Sequence, residues 1–116
     1  MGRYRNAVLP GCHPDPSICR AGDEYFLVTS TFEVLPGLPI HRSRDLVDWE
    51  LVGHAIDRPD QLDLSTVPSS GGLFAPTIRH HEGRFHVVCT LVHGSGRQGH
   101  FLVTATDAAG PWSDPV

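Results

Sequence analysis

The sequence lacks the features of a membrane or nucleic-acid-binding protein. No apolar run in its 116 residues approaches the roughly 20 residues that a membrane-spanning helix needs. The formal net charge is −4 and there is no run of lysine or arginine, so neither nucleic acid nor an anionic membrane is expected as the main partner. The charged N-terminus has no apolar core behind it, so no signal peptide is seen and we expect a cytoplasmic protein.

Cysteine is scarce as well. The three cysteines, Cys12, Cys19 and Cys89, include no C-x-x-C pair, which argues against a disulfide framework or a zinc site. We expect three reduced thiols that behave as small hydrophobic groups. The eight histidines are scattered along the chain and favour surface or polar-network roles, so we expect no metal and no cofactor.

Helical periodicity is also missing. No window of a dozen residues keeps apolar side chains at i, i+3, i+4 and i+7, and proline or glycine interrupts nearly every stretch. Short β-type runs dominate instead, separated by turn-forming residues such as Gly22-Asp23 and Glu82-Gly83. The sequence therefore predicts an all-β chain of about eight short strands. The clearest runs are residues 25–32, 38–42, 49–52, 85–92 and 101–106.

The chain contains an internal repeat. Residues 16–28 (PSICRAGDEYFLV) align without gaps on residues 76–88 (PTIRHHEGRFHVV), at an offset of 60. Both copies begin with proline, a small hydroxyl residue and isoleucine, and both place an aromatic before a β-branched run. A second match pairs Asp45, ahead of Trp49, with Asp107, ahead of Trp112. Such repeats of four antiparallel strands are typical of β-propeller blades, although a single β-sandwich with accidental similarity remains an alternative.

The repeat predicts two four-stranded blades. We predict blade one at about 13–53, a link at about 54–74 and blade two at about 75–116, all within one domain spanning 1–116. Leu62, Leu64 and Val67 of the link are predicted to pack at the seam between the blades. Because propellers have about four to eight blades, we expect part of a larger ring, or self-association through open blade faces. The predicted strands lie near 16–20, 24–32, 38–44, 49–53, 76–80, 84–92, 100–106 and 111–116.

One position differs between the two units in a chemically important way. Asp15 and Ala75 each stand immediately before the proline that opens a blade, and only one of them is a carboxylate. The architecture itself does not require an acid there, so Asp15 is a candidate catalytic residue. The alternative is a turn role, because aspartate before proline commonly caps nearby amides.

Several motifs resemble the β-xylosidases and α-L-arabinofuranosidases of glycoside hydrolase family 43, in family order over nearly the whole chain. They lie at residues 8–18 (VLPGCHPDPSI), 29–33 (TSTFE), 36–40 (PGLPI), 43–49 (SRDLVDW), 70–76 (SGGLFAP) and 110–115 (GPWSDP). The resemblance implies the amino-terminal part of a five-bladed catalytic propeller. It also implies hydrolysis, with inversion, of terminal xylosyl or arabinosyl units from xylan-derived oligosaccharides.

The resemblance implies three carboxylates in the complete site, and Asp15 matches the general base. The aspartate that tunes its partner's pKa and the general acid glutamate have no counterpart in the matching motifs. Asp114, Asp107 and Glu33 all lie outside those positions. We therefore expect no turnover from these two blades alone. The alternatives are a non-catalytic module that binds carbohydrate, or a non-functional remnant.

Aromatic side chains form the second candidate group. Sugars stack their C–H faces on aromatic rings. Phe32 resembles the family's aromatic at the terminal-sugar subsite, and Phe74 stands where many members carry tryptophan; a core role is the alternative for both. Tyr25 and Phe85 match in the repeat, which predicts blade core. The same reasoning gives Trp49 and Trp112 structural roles.

Overall fold

The protein is all-β. The computed structural model describes residues 2–93 and 98–116. Those residues include no helix long and apolar enough to span a membrane. The described residues form seven strands: β1 Ser17–Ala21, β2 Glu24–Val28, β3 Gly37–Ser43, β4 Glu50–Ile56, β5 Gly72–His81, β6 Arg84–Val92 and β7 Gly99–Ala105.

The strands form two antiparallel sheets in chain order, β1-β2-β3-β4 and β5-β6-β7. Each sheet opens with a two-residue hairpin: Ala21 pairs with Glu24, and His81 pairs with Arg84. Gly22 has φ 65°, and both Glu82 (φ 50°) and Gly83 (φ 74°) are left-handed. Positive φ at the centre of a two-residue turn matches the right-handed twist of the flanking strands. Both predicted turns are confirmed.

The second sheet differs from the prediction of four strands. Three strands form it in the part of the chain that the structure describes, and residues 113–116 run beside β7 without becoming a fourth. The backbone N–H of Ser113 donates to Thr104 O at 2.8 Å, and Leu102 and Val116 exchange two bonds of 3.0 Å. The N–H of Thr104 donates to the Ser113 side-chain hydroxyl at 2.9 Å and not to a backbone carbonyl, so the ladder is interrupted there.

The core lies in the seam between the two sheets. Phe26 of β2 meets Phe85 of β6 edge to face, with ring centroids 4.7 Å apart. Of the link residues predicted to lie there, Leu64 is buried, and Leu62 and Val67 pack against the core partly buried. Most of the large side chains buried completely belong to the same core cluster as Phe26 and Phe85: Trp112, Leu38, Ile40, Ile56, Leu73, Ile78, Val28, Val87 and Val103.

The seam also corrects the prediction for Tyr25. Tyr25 occupies the hairpin position equivalent to that of Phe85, but it is only half-buried, with the Arg20 guanidinium 5.8 Å from its ring centroid. Phe26 is the buried residue. When two copies of one unit stack side by side, the contact uses opposite faces of the two sheets. Successive residues of a strand also point to opposite faces of the sheet. Phe85 therefore faces the first sheet, whereas Tyr25 faces away from the second.

The outer faces leave several apolar side chains in solvent. Ile18, Leu51 and Val88 of the strands are 45%, 55% and 43% exposed. Self-association through such open faces stays a prediction.

The first strands of the two sheets are neighbours, and a hydroxyl joins them. β1 packs beside β5, and Ser17 Oγ accepts the backbone N–H of Ile78 at 3.1 Å. At a second contact between the two sheets, Phe32 and Leu73 exchange two backbone hydrogen bonds of 3.1 and 2.9 Å. Gly72 makes this approach possible: its φ is 96°, and a Cβ there would overlap the carbonyl oxygen of Phe32.

We predict that Gly72→Ala destabilises the fold more than Gly83→Ala. Both glycines have positive φ, but a Cβ at Gly83 meets nothing within 4 Å. Gly83→Ala should cost about 1–2 kcal/mol of unfolding free energy from backbone conformation alone. Gly72→Ala adds a clash with backbone, worth about 1–3 kcal/mol more. Urea unfolding followed by tryptophan fluorescence measures both, and equal losses would contradict the close approach of Phe32.

Candidate active site

Asp15 and Ala75 share an unusual backbone conformation. Their φ angles are 52° and 44°, both in the left-handed region that non-glycine residues seldom adopt. Each residue precedes a proline, and Ala75 lies where the pairing of β5 with β6 shifts register between Phe74 and Thr77. The equivalence predicted from the repeat is therefore confirmed at the level of the backbone. A left-handed φ angle raises the conformational free energy of an alanine, so contacts around Ala75 must stabilise this conformation.

Ser30 lies between these two residues and contacts both. Its hydroxyl donates to Asp15 Oδ2 at 2.8 Å and accepts the backbone N–H of Ala75 at 2.7 Å. The backbone N–H of Ser30 donates to the carbonyl of Pro14 at 3.0 Å. Ser30 is 2% exposed, whereas Asp15 is exposed to solvent. The candidate base is thus a surface carboxylate anchored by a buried hydroxyl.

The structure brings the two candidate substrate-binding aromatics together. Phe32 and Phe74 pack edge to face, with ring centroids 5.1 Å apart and an interplanar angle of 79°. Both are half-buried. Phe32 comes two residues after Ser30, and Phe74 directly precedes Ala75, so both rings are carried next to the residues that join at the Ser30 hydroxyl. An apolar wall next to a carboxylate is an arrangement suited to a sugar ring.

Two histidines that the sequence shows as scattered meet near this end of β1. The rings of His13 and His41 have centroids 5.3 Å apart. His13 Nε2 lies 3.2 Å from Pro10 O, and His41 is 7% exposed. Burial lowers the pKa of His41, and the neighbouring His13 and His54 lower it further. His41 is accordingly neutral at physiological pH.

The buried thiols have low reactivity because burial disfavours the thiolate form. Burial raises the pKa of Cys19 to about 11 and that of Cys89 to about 12. Cys89 Sγ donates to Phe74 O at 3.3 Å. Both behave as the predicted small hydrophobic groups, but Cys12 is exposed and does not. Within residues 2–93 and 98–116, no group of three or more metal-binding side chains comes together.

The carboxylates considered as partners for Asp15 are engaged elsewhere. Glu33 accepts the N–H of Ser70 at 3.0 Å, Asp107 accepts that of Ala109 at 2.9 Å, and Asp114 accepts Arg58 Nη2 at 2.9 Å. Asp45, the repeat equivalent of Asp107, accepts the N–H groups of Asp48 and Val47 and the Ser43 hydroxyl, which lower its pKa to about 2. Asp45 and Asp107 both cap turns, which agrees with their equivalent positions in the repeat.

Ser30 and His41 are the residues that sequence reasoning missed. Ser30 stands in a run of three hydroxyl residues just before Phe32, which is a weak signal because such runs are common in strands. The contacts of Ser30 join residues 15 and 45 positions apart, so no local pattern reveals them.

A family model decides the identity of the chain. The model described as Glycosyl hydrolases family 43 matches residues 4–116. The chain belongs to this family. The motifs that resemble the family are therefore confirmed.

Similar proteins of known activity are glycosidases. A non-reducing end alpha-L-arabinofuranosidase of Bacteroides ovatus is 55% identical over 97% of the chain and 22% of its own length. A beta-xylosidase of Bacillus subtilis is 46% identical over 98% of the chain and 22% of its own length. The family 43 chain thus spans about a fifth of the length of the curated relatives it matches.

Solved structures show the same fold. The structure described as "Bacteroides ovatus Xyloglucan PUL GH43B" superposes with a TM-score of 0.93 at 55% identity, covering 97% of this chain and 23% of that one. A xylan beta-1,4-xylosidase of Bacillus halodurans gives a TM-score of 0.90 at 46% identity, covering 98% and 23%. These family 43 structures are five-bladed β-propellers. The propeller prediction is confirmed, and the β-sandwich alternative is wrong.

We predict that the fold loses stability as pH falls through the titration range of histidine. Because the pKa of His41 is lowered from its ordinary 6.5 in the folded chain, the unfolded chain takes up this proton at a higher pH. Stability is therefore full above about pH 7 and declines toward about pH 5. His54, whose pKa burial also lowers, contributes in the same direction.

Urea unfolding at a series of pH values measures this dependence. His41→Gln removes one of the two histidines whose pKa is lowered and should reduce the slope, leaving the part due to His54. An unfolding free energy that is constant or rises on acidification over this interval would contradict the lowered pKa of His41.

Proposed function

We propose that this chain supplies the general base and the aromatic wall of a glycosidase that releases terminal xylosyl or arabinofuranosyl units with inversion. The substrates are xylan-derived oligosaccharides. The observation that carries the proposal is Asp15, an exposed carboxylate in the family motif that buried Ser30 anchors through one oxygen. The Phe32–Phe74 pair stands close in the chain to Ser30 and Ala75 and supports it. The names of the relatives, a beta-xylosidase and an alpha-L-arabinofuranosidase, support both sugars.

The proposed reaction is a single displacement. Asp15 takes a proton from a water molecule while the water oxygen attacks the anomeric carbon from the face opposite the leaving group. The glycosidic C–O bond breaks, and a protonated carboxyl group about 6.5–9.5 Å from Asp15 donates its proton to the departing oxygen. Because Ser30 engages Oδ2, Oδ1 is the oxygen that meets the water.

The remaining carboxylates belong to the complete propeller. Glu33, Asp107 and Asp114 are each hydrogen-bonded elsewhere, so none is placed to act as the acid. We propose that the general acid and the second aspartate lie in the portion of the relatives beyond the fifth that this chain spans. Two blades without that acid would bind substrate rather than turn it over.

We predict that Asp15→Ala lowers kcat on an aryl xyloside or arabinofuranoside by about 10²–10⁴-fold, the usual contribution of a general base. The measurement uses the longest reading frame that encodes this segment, with the 116-residue chain assayed beside it. Azide, which attacks without giving up a proton, should restore turnover of an activated substrate in the variant. Proton NMR should show an inverted anomeric centre in the product of the unaltered enzyme.

Asp114→Asn is the matched control, because this carboxylate is 81% exposed and paired with Arg58. It should keep near-normal activity. An Asp15→Ala variant with unaltered kcat, or a product of retained configuration, would overturn the proposed role.

A sugar-binding role of the isolated chain is favoured by one observation, the half-buried Phe32–Phe74 pair. We predict that calorimetry with xylobiose gives saturable binding to the 116-residue chain. Phe32→Leu keeps apolar volume but removes the ring face, and should weaken binding by about tenfold, or about 1.4 kcal/mol. Tyr4→Ala, at an exposed aromatic remote in sequence, is the control. Flat heats at millimolar sugar would exclude binding by this chain.

A further inference from the structure

We propose that Ser30 is a positioning residue that fixes the carboxylate of Asp15 and couples it to the second blade. The inference rests on the proposed role of Asp15 as general base. Ser30 makes three contacts at this point of the fold: with Oδ2 of Asp15 at 2.8 Å, with the N–H of Ala75 at 2.7 Å and with the carbonyl of Pro14 at 3.0 Å. No other side chain described in the structure joins Asp15 to blade two.

The direction of each hydrogen bond follows from the groups involved. The backbone N–H of Ala75 can only donate, so Ser30 Oγ accepts from it. An ionised carboxylate can only accept, so the single hydroxyl proton of Ser30 points at Asp15 Oδ2. The chain therefore runs from the Ala75 amide through the Ser30 hydroxyl to the base. In such a chain each bond polarises the next, which strengthens the last one.

The arrangement restricts a side chain that would otherwise turn freely. Asp15 is exposed, and an exposed aspartate ordinarily samples several rotamers. Ser30 is buried and holds both the backbone ahead of Asp15 and one carboxylate oxygen, so backbone and side chain are fixed by the same residue. A general base must lie within hydrogen-bond reach of its water, and a displacement of about 1 Å costs about 10²-fold in rate.

Ser17 offers a matched comparison within the same seam. Its hydroxyl accepts the N–H of Ile78 at 3.1 Å, as the hydroxyl of Ser30 accepts that of Ala75. Both are hydrogen bonds from a backbone amide of blade two to a serine of blade one. Only Ser30 also reaches Asp15. Ser17→Ala therefore reports the loss of a seam contact without the loss of positioning.

The first test needs no catalysis. In NMR spectra of the 116-residue chain, couplings of the Asp15 β-protons report its χ1 rotamer. Asp15 should hold one rotamer in the unaltered chain and in Ser17→Ala, and should average over several in Ser30→Ala. A single, unchanged rotamer in folded Ser30→Ala would overturn the positioning role, as would equal averaging in both variants.

The second test uses kinetics of the longest reading frame that encodes this segment. Ser30→Ala should lower kcat by about 10–100-fold and change KM by less than about twofold, because the water-activating group and not the sugar contact is disturbed. Ser17→Ala should leave kcat near normal while lowering the unfolding midpoint comparably. Ser30→Thr, which keeps the hydroxyl, should recover much of the lost kcat.

A double-mutant cycle separates this inference from the function on which it rests. In the Asp15→Ala background, with azide as nucleophile, Ser30→Ala should cause no further loss, because Ser30 acts through Asp15. The same loss in both backgrounds would show a purely structural serine and overturn the positioning role alone. An Asp15→Ala variant that keeps full activity would instead overturn the role of Asp15 itself.

Discussion

Phe32 and Leu73 exchange two backbone hydrogen bonds where the two sheets meet, and the candidate site is organised by this crossing. The crossing fixes the chain two residues after Ser30 and one residue before Phe74. It thereby sets the distance between the hydroxyl that anchors Asp15 and the ring that stands beside Phe32. The crossing requires a residue without a side chain at Gly72, because any Cβ there would occupy the space of the Phe32 carbonyl.

Much of the fold could be predicted because short local patterns determine its strands and turns, and because the same pattern occurs twice in the chain. The 60-residue offset gave both hairpins, and the shared position of Asp15 and Ala75 reappears as a shared left-handed backbone. Residues 113–116 were harder, since they lie beside β7 but a side-chain hydroxyl, that of Ser113, accepts the N–H of Thr104 in place of a backbone carbonyl. The burial of Phe26 in place of Tyr25 was also missed, because a repeat shows equivalence of position and not which face meets the neighbouring unit.

The site was predictable only in part, for a related physical reason. Asp15, Phe32 and Phe74 stand in motifs, and the structure brings all three to one end of the seam. Ser30 and the His13–His41 contact depend on pairs far apart in sequence, whose members carry no distinguishing pattern of their own. A buried serine in a β-type run becomes informative only when its two hydrogen bonds are known.

The left-handed backbone at Ala75 has a consequence for how active sites arise in repeated folds. This conformation costs a residue with a Cβ about 1–2 kcal/mol, and aspartate tolerates it better than alanine does. The fold therefore has, directly before the proline that opens each of these two blades, a position whose left-handed backbone suits an aspartate. A ring of identical units could acquire or lose carboxylates around its axis by single substitutions, with no change in the path of the main chain. The asymmetry that an enzyme needs would then reside in side chains alone, and the symmetry of the backbone could be left intact.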